Sequence, residues 1–322
     1  MSNDTPDVSI CITTHNHKDY ILDCVMSVIM QSNDLSIEVI IGDDSSSDGT
    51  SDILRSLSEK HPEIINIINH HPRIGYGSLN LQKIVGLAQG KYIAHLDGDD
   101  FWLPGKLREQ VSFLDKNQDC IAVCTNALCI NALGNPIGVF NNTQRHTKFS
   151  TQDLITNGNF LNHSSLLYRS CFAQTLQNWD KPFIDYRIHL HLTQLGRIGY
   201  INKILTGYRV GSSSSAILHR GDLVRSLYWH AISEVSSEIV SESKKLEASA
   251  DFLCKVFFRS VKTRSRNLFH EWWIITSESH PHQKLKLGSL TLANIIKYGV
   301  RLTWSIFASK LSGTNLRVFY WH

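Results

Sequence analysis

Three carboxylates crowd the end of one apolar run, where Tyr92-Ile93-Ala94-His95-Leu96 passes into Asp97-Gly98-Asp99-Asp100. Carboxylates this close repel one another unless a proton, a basic partner or a cation offsets them. Hard divalent cations such as Mg²⁺ or Mn²⁺ take oxygen ligands of this kind, often together with substrate phosphates. Read alone, the segment also fits a solvated acidic turn that closes a strand. A second acidic terminus shifts the balance: the β-branched run Glu38-Val39-Ile40-Ile41 breaks off into Gly42-Asp43-Asp44-Ser45-Ser46-Ser47-Asp48-Gly49-Thr50. The first apolar run, Val8-Ser9-Ile10-Cys11-Ile12, likewise ends in polar groups, Thr13-Thr14-His15-Asn16-His17. Much further along, Asp185 stands alone at a helix start in Phe183-Ile184-Asp185-Tyr186-Arg187-Ile188-His189-Leu190. By itself it fits a cap or a first-turn partner of the helix dipole.

Strand, polar loop and helix recur in that order, which predicts a parallel sheet with ligand groups at the carboxyl ends of its strands. The spacing predicts strands near 8–12, 37–42, 64–69, 91–96 and 120–124. Helices fall between them at 19–30, 50–60, 77–89 and 104–116, with Pro104 in the first turn of the last. This is a doubly wound α/β domain. After Asn131 the rhythm weakens: a turn at Gly134-Asn135-Pro136, a hairpin or loop over 137–150, a short helix over 151–157 and a strand over 160–170 returning to the sheet. The domain is expected over residues 1–215, followed by a mainly helical extension over 216–322.

A chain of 322 residues with 42% hydrophobic and 19% charged residues can bury a sizeable core. Its seven cysteines fall mostly within apolar runs and are odd in number, which argues against a disulfide framework and fits a reducing compartment better. Cys120 and Cys124 lack a second pair and are read as small core residues rather than half a zinc site. The first seven residues have neither a basic flank nor an apolar stretch, so no secretory signal is expected and the chain is placed in the cytoplasm. Charge is uneven: residues 220–322 hold 15 Lys and Arg against 8 Asp and Glu, and the preceding residues 17 against 21. In that basic part, Phe252 to Lys262 and Leu290 to Ala308 interleave cations with apolar and aromatic bulk, including Lys297, Arg301, Trp304 and Phe307. No run reaches the roughly 18 charge-free apolar residues of a spanning helix. The pattern fits interfacial helices on anionic lipid, peripheral to the inner face of the cell membrane, and equally helices packed on the α/β domain with snorkelling lysines. No nucleic-acid-binding signature accompanies the basic residues, and a second copy of the chain is a further candidate partner.

The four separated motifs together resemble family 2 glycosyltransferases with the GT-A fold, of the bacterial type that builds surface polysaccharides and glycans. The resemblance covers about residues 7–215. Val8 to Asn16 is similar to the family's opening strand and nucleotide-contacting loop, which implies nucleotide contacts for Thr14, His15 and Asn16; His15 replaces the usual aromatic residue. In the second loop, the aspartate that reads the nucleobase falls on Asp44, with Ser45 where glycine is common. Asp97-Gly98-Asp99 matches the Asp-x-Asp motif, which implies that Asp97 contacts the nucleotide sugar and Asp99 holds Mg²⁺ or Mn²⁺ at the diphosphate. Asp185 resembles the catalytic base, with Ile184 and Ile188 where an acid and leucine are common. Asn80, beyond the turn Gly75-Tyr76-Gly77, resembles a nucleotide-side Asn. Tyr208-Arg209-Val210 also matches, with Arg209 as a phosphate contact and Gly211 where a histidine is frequent. His163, His189 and His191 are read as polar or packing residues.

The resemblance implies an inverting transfer of a sugar from a nucleotide-diphosphate donor to a saccharide hydroxyl, the acceptor being lipid-linked. Asp44 can accept from the imide N–H of uracil or thymine, which favours a UDP-sugar. A nucleotidyltransferase also uses carboxylates and Mg²⁺ on an α/β sheet, but carries a Gly-rich basic loop after its first strand, where this chain has Thr13-Thr14-His15-Asn16-His17-Lys18. A non-catalytic glycan-binding relative is the other alternative.

Overall fold

A computed structural model of the chain describes residues 5–32, 35–141, 148–211, 221–312 and 317–320, with side chains through residue 300 except Arg266, and for Val318. Two compact units emerge. One comprises Met1–Ser150, Phe160–Leu227 and Leu316–His322, and the other Thr151–Asn159 and Tyr228–Asn315. The first unit includes the chain up to Leu227, and the short segment after Ser150 joins the second unit, so neither unit is one continuous stretch.

In chain order the elements are β1 (Val8–Thr14), α1 (Ile21–Ile29), β2 (Ile37–Asp43), α2 (Thr50–Lys60), β3 (Ile65–Asn69), α3 (Gly77–Val85), β4 (Tyr92–Asp97) and β5 (Phe101–Trp102). There follow α4 (Lys106–Lys116), β6 (Cys120–Ile130), β7 (Pro136–Asn141), β8 (Lys148–Phe149), α5 (Thr151–Asn157), β9 (Leu167–Arg169), α6 (Ala173–Gln177), α7 (Asp185–Leu195) and β10 (Arg197–Arg209). The chain ends with α8 (Gly221–Ser233), α9 (Glu242–Thr263), α10 (Arg266–Glu278), α11 (Lys284–Ser312) and β11 (Arg317–Tyr320).

The sheet of the first unit runs β11-β7-β6-β9-β4-β1-β2-β3, with β10 beside β6 and also paired to β5 and β8. β1 is parallel to both β2 and β4, in a register that sets Thr14 opposite Asp43 and Thr13 opposite Asp97. The carboxyl ends of three strands are thereby level at one edge, which is what brings three separate loops into one site. The strands read as apolar runs because both faces are covered: Val8, Ile10, Cys11 and Ile12 are fully buried, as are Val39 and Ile41. Helix α1 buries Ile21, Cys24, Val25 and Val28, the one-face spacing of a 3.6-residue period.

Four expected elements differ. Helix α3 stops at Val85, short of the expected 89. Helix α4 begins at Lys106 behind Gly105, whose φ of 81° suits glycine, so Pro104 lies in the preceding turn. Strand β6 extends to Ile130 through Thr125 and Asn126, polar residues that suggest a strand end. They are tolerated inside because Asn126 is satisfied: its Nδ2 donates to the Asn141 carbonyl at 2.8 Å, and its Oδ1 accepts from the Asn141 N–H at 3.0 Å. The strand expected over 160–170 shrinks to Leu167–Arg169, because His163–Ser165 forms a 3₁₀ turn instead.

The second unit is helical. Leu246, Ala250 and Leu253 of α9 form a core with Leu287 of α11, against which Phe269, Trp272, Trp273 and Leu290 pack. Among the described residues no helix is long and apolar enough to cross a membrane. All cysteines are free, and only Cys171 is exposed. Of the sequence features singled out in the basic part, the side chains of Arg301, Trp304 and Phe307 lie outside the described residues.

Candidate active site

The turn after β4 is held from three sides. Thr13 Oγ1 donates to Asp97 Oδ1 at 3.1 Å, and the Gly98 N–H donates to the Thr13 carbonyl at 2.9 Å. A side chain on Gly98 would meet Thr14 Oγ1 and His17 Nδ1 at 2.8 Å, so only glycine lets the turn lie against β1. Asp100 is buried inside the turn. Its Oδ2 accepts from Ser164 Oγ at 2.5 Å and its Oδ1 from the Arg209 N–H at 2.7 Å. Ser164 sits on the 3₁₀ turn, which Trp102 pins through an indole N–H donated to the Ser164 carbonyl at 2.7 Å. Gln110 pins the same turn by donating to the Ser165 carbonyl at 2.8 Å. Asp99 is the carboxylate left over: it is partly exposed, and its side chain has no hydrogen bond or ion pair among the described residues.

Arg209 does not present its guanidinium as expected of a phosphate contact. It is buried, stacked 4.1 Å over the ring of Tyr20, and donates from Nε to the Asp99 carbonyl at 3.0 Å. Its Nη1 reaches the carbonyls of Asn131 and Ala132 at 3.2 and 3.3 Å. Three backbone carbonyls therefore occupy this cation, which braces the acidic turn from behind.

The loops after β1 and β2 interlock. Asn16, at a positive φ of 56°, accepts the Ser47 N–H on Oδ1 at 2.8 Å, while its own N–H donates to Ser46 Oγ at 2.9 Å. Thr14 Oγ1 is 3.1 Å from His17 Nδ1. His15 is partly exposed, and its Nδ1 is buried without a partner among the described residues. Asp43 is internal, accepting from the N–H and Oγ of Ser46 and from Ser51 Oγ. Asp44 accepts the N–H groups of Ile74 at 2.6 Å and Gly75 at 2.8 Å, with Arg73 Nε at 3.5 Å. Its carboxylate thus holds the loop before α3 over the ends of β1 and β2. Asn80 turns inward: it is buried, its Nδ2 donating to the Gly42 carbonyl at 2.8 Å and its Oδ1 lying 3.0 Å from His70 Nε2. Both ends of the amide are hydrogen-bonded inside the fold, so Asn80 positions this loop.

A chain of imidazoles connects the acidic turn to α7. His95, buried on β4, lies 3.0 Å from the Tyr168 hydroxyl through Nε2 and 3.3 Å from His163 Nε2 through Nδ1. The ring of His163 lies 6.0 Å from that of His189 on α7. At the two ends, the charge of His163 acts on Asp97 and that of Asp185 on His189. Asp97 and Asp185, 88 positions apart in the numbering, are thus each within electrostatic reach of one member of this set of rings. Gln82 of α3 fixes the approach to α7 by donating to the carbonyls of Leu176 and Gln177 at 2.9 Å. Sequence reasoning left His163 and His189 as ordinary polar residues and missed Ser164. A polar Asn162-His163-Ser164-Ser165 stretch ahead of an apolar strand is the only signal that could have drawn attention to them.

Electrostatically the turn is short of positive charge. Burial holds the carboxyl of Asp97 above its ordinary range, Asp99 adds to this, and His163 and Thr13 pull it back. Burial, then Asp99 and Asp97, holds Asp100 well above that range. Burial depresses His95, and the neighbouring His163 and His189 depress it further. No group of three or more His, Cys, Asp or Glu side chains arranged as a metal site occurs among the described residues. The carboxylates of Asp97 and Asp99 nonetheless fit a hard divalent cation that completes its coordination with phosphate and water oxygens and needs only one or two protein carboxylates.

The sequence profile described as Glycosyl transferase family 2 matches residues 9–173, a stretch that contains all three loops and the acidic turn. Over 108 residues the chain is 40% identical to the Escherichia coli UDP-Glc:alpha-D-GlcNAc-diphosphoundecaprenol beta-1,3-glucosyltransferase WfaP, covering 34% of this chain and 41% of that protein. It spans 63% of the length of the uncharacterised mycobacterial relatives it matches. Among solved structures, S. aureus TarS 1-349 in complex with UDP-GlcNAc superposes with a TM-score of 0.63 at 16% identity, covering 91% of this chain and 89% of that one. The mannosyltransferase PcManGT of Pyrobaculum calidifontis, in complex with GDP-Man and Mn²⁺, gives 0.53 at 15% identity, covering 94% and 88%. These likenesses show the GT-A fold. With that fold, and with a family profile that takes in the opening strand, the aspartate loop and the Asp-x-Asp turn, the chain belongs to glycosyl transferase family 2.

Proposed function

We propose that the chain is an inverting glycosyltransferase that moves a sugar from a UDP-sugar to a hydroxyl of a saccharide acceptor in bacterial surface-glycan synthesis. The observation that supports this is the level edge of β1, β2 and β4, which brings the loops carrying Asp44, Asp97 and Asp99 to one edge of the sheet, with the His163 ring 6.0 Å from His189 of the helix that Asp185 begins. Asp44 and the Thr14 to Asn16 loop would hold the nucleoside, with Asn80 and Arg209 supporting the loops from inside. Asp97 would orient the transferred sugar, and Asp99 would hold Mg²⁺ or Mn²⁺. A divalent cation there supplies positive charge to the departing diphosphate. Asp185 takes the proton of the acceptor hydroxyl as that oxygen forms a bond to C1 of the donor sugar. The bond from C1 to the diphosphate oxygen breaks with its electron pair on the diphosphate, and a single displacement inverts the anomeric centre. A lipid-linked acceptor is supported by the diphosphoundecaprenol acceptor in the name of WfaP. The cationic, apolar C-terminal helices support a place at the inner membrane face.

Calorimetry with UDP, dTDP and GDP, with and without Mn²⁺, tests this on the wild type, Asp99→Ala and Asp185→Asn. UDP is expected to bind with Mn²⁺ and to lose that dependence in Asp99→Ala. Asp185→Asn is expected to bind UDP normally and to lower kcat about 10²- to 10⁴-fold at nearly constant donor KM. Binding of none of the three nucleotides would instead favour a non-catalytic relative of the fold.

A further inference from the structure

From Ser279 to the end of the sequence there are six Lys and Arg and no Asp or Glu. Helix α11 carries five of them, Lys284, Lys286, Lys297, Arg301 and Lys310, so it is cationic throughout its length. Its inward face is used: Leu287 and Thr291 are buried, and Leu290 packs on the α9 core. The opposite face is apolar and exposed. Leu285, Leu292, Ile296 and Val300 are 94%, 59%, 59% and 63% exposed, and with Ser289 they recur at intervals of four, three, four and four residues. That spacing lines one face of a helix. Lys286 and Lys297 are exposed on one flank of the stripe and Lys284 on the other.

We propose that this outward face of α11 is an interfacial helix that lies on a bilayer of anionic lipid, with the Leu285 to Val300 stripe in the acyl boundary and the lysines among the headgroups. Charge decides between occupants. A second copy laying the same helix on this one would bring Lys284, Lys286 and Lys297 of each copy together with no acid of that helix to offset them, within the roughly 10 Å over which salt leaves charges interacting. An anionic surface supplies the missing counter-charge, and its hydrocarbon takes the apolar stripe. This deepens the reading of a membrane-borne acceptor, yet vesicle binding can be measured without any transfer of sugar.

The test is flotation of the full chain with vesicles of phosphatidylcholine alone and with about one third phosphatidylglycerol, at about 0.15 M salt. Association with the anionic vesicles and not the neutral ones is expected. The double variants Leu292→Glu with Ile296→Glu, and Lys286→Glu with Lys297→Glu, are each expected to weaken it about tenfold or more, with unchanged melting and unchanged UDP binding. Failure of the wild type to float, or equal flotation of both variants, overturns the proposal. So does sedimentation showing a dimer that Leu292→Glu with Ile296→Glu dissolves without any vesicle binding, since the face then belongs to a second copy. Vesicle binding without any nucleotide binding would leave this surface intact and sink the transferase reading instead.

Discussion

At the residue scale, the carboxylates of one turn divide into different tasks by burial and partners. Among the described residues the Asp99 side chain has no hydrogen bond or ion pair, whereas Asp100 is held by Ser164 and the Arg209 N–H. The charge of Asp100 is therefore dispensable, but its hydrogen bonds are not. An asparagine keeps an acceptor for Arg209 and offers Ser164 a donor, while removing one charge that Asp97 and Asp99 repel. Asp100→Asn is expected to melt at or above the wild-type temperature without divalent cation. Asp100→Ala, which strands a buried donor, is expected to lose about 1–3 kcal/mol. Thermal melts of the metal-free variants decide the matter, and an equal loss in both would mean that the charge itself is needed.

At the element scale, the loop after β2 depends on the packing of α3 onto that strand. A Cβ at Gly42 would lie 1.9 Å from Asn80 Oδ1 and 3.0 Å from Ile84 Cγ2, inside the clamp that ties Asn80 to the strand. Gly42→Ala is expected to cost about 1–3 kcal/mol by overpacking. Because the clash is with the Asn80 amide, the same substitution in an Asn80→Ala background is expected to cost at least about 1 kcal/mol less, a coupling that a double-mutant cycle by urea unfolding reads directly. Additive losses would place the clash elsewhere. The alternation of strand and helix that builds this packing was legible from residue 8 to residue 124, because apolar periodicity reports burial one element at a time. The extension of β6 to Ile130 was not, since its buried Asn126 is satisfied by Asn141, 15 positions later.

At the scale of the whole molecule, the buried imidazoles link folding to pH. Burial pushes His189 down from 6.5 to about 4, Asp185 opposing and His163 adding to the shift. Between those values the unfolded chain binds a proton that the folded one refuses, so stability falls as pH drops from 6.5 to 4. The loss is on the order of 3 kcal/mol for this group, and His95 acts in the same direction. Asp97 and Asp100 oppose it, because their raised folded values make the native state the tighter proton binder above 3.8. His189→Gln is expected to flatten the fall between pH 6.5 and 4, read from urea midpoints at several pH values. An unaltered slope would show that His189 does not carry it.

The sequence by itself determined the α/β class and the family resemblance, and put Asp44, Asp97 and Asp99 forward as candidates, because strand ends and their loops are local patterns of apolar and turn-forming residues. Only the tertiary structure decided what those residues face. Ser164 reaches Asp100 across 64 positions, and Arg209 reaches Asp99 across 110. Asn80 and Arg209, which the motif offered as ligand contacts, turn inward to carbonyls. A side chain's type states which hydrogen bonds it can make, but which partners desolvate it is settled only when distant strands align in register.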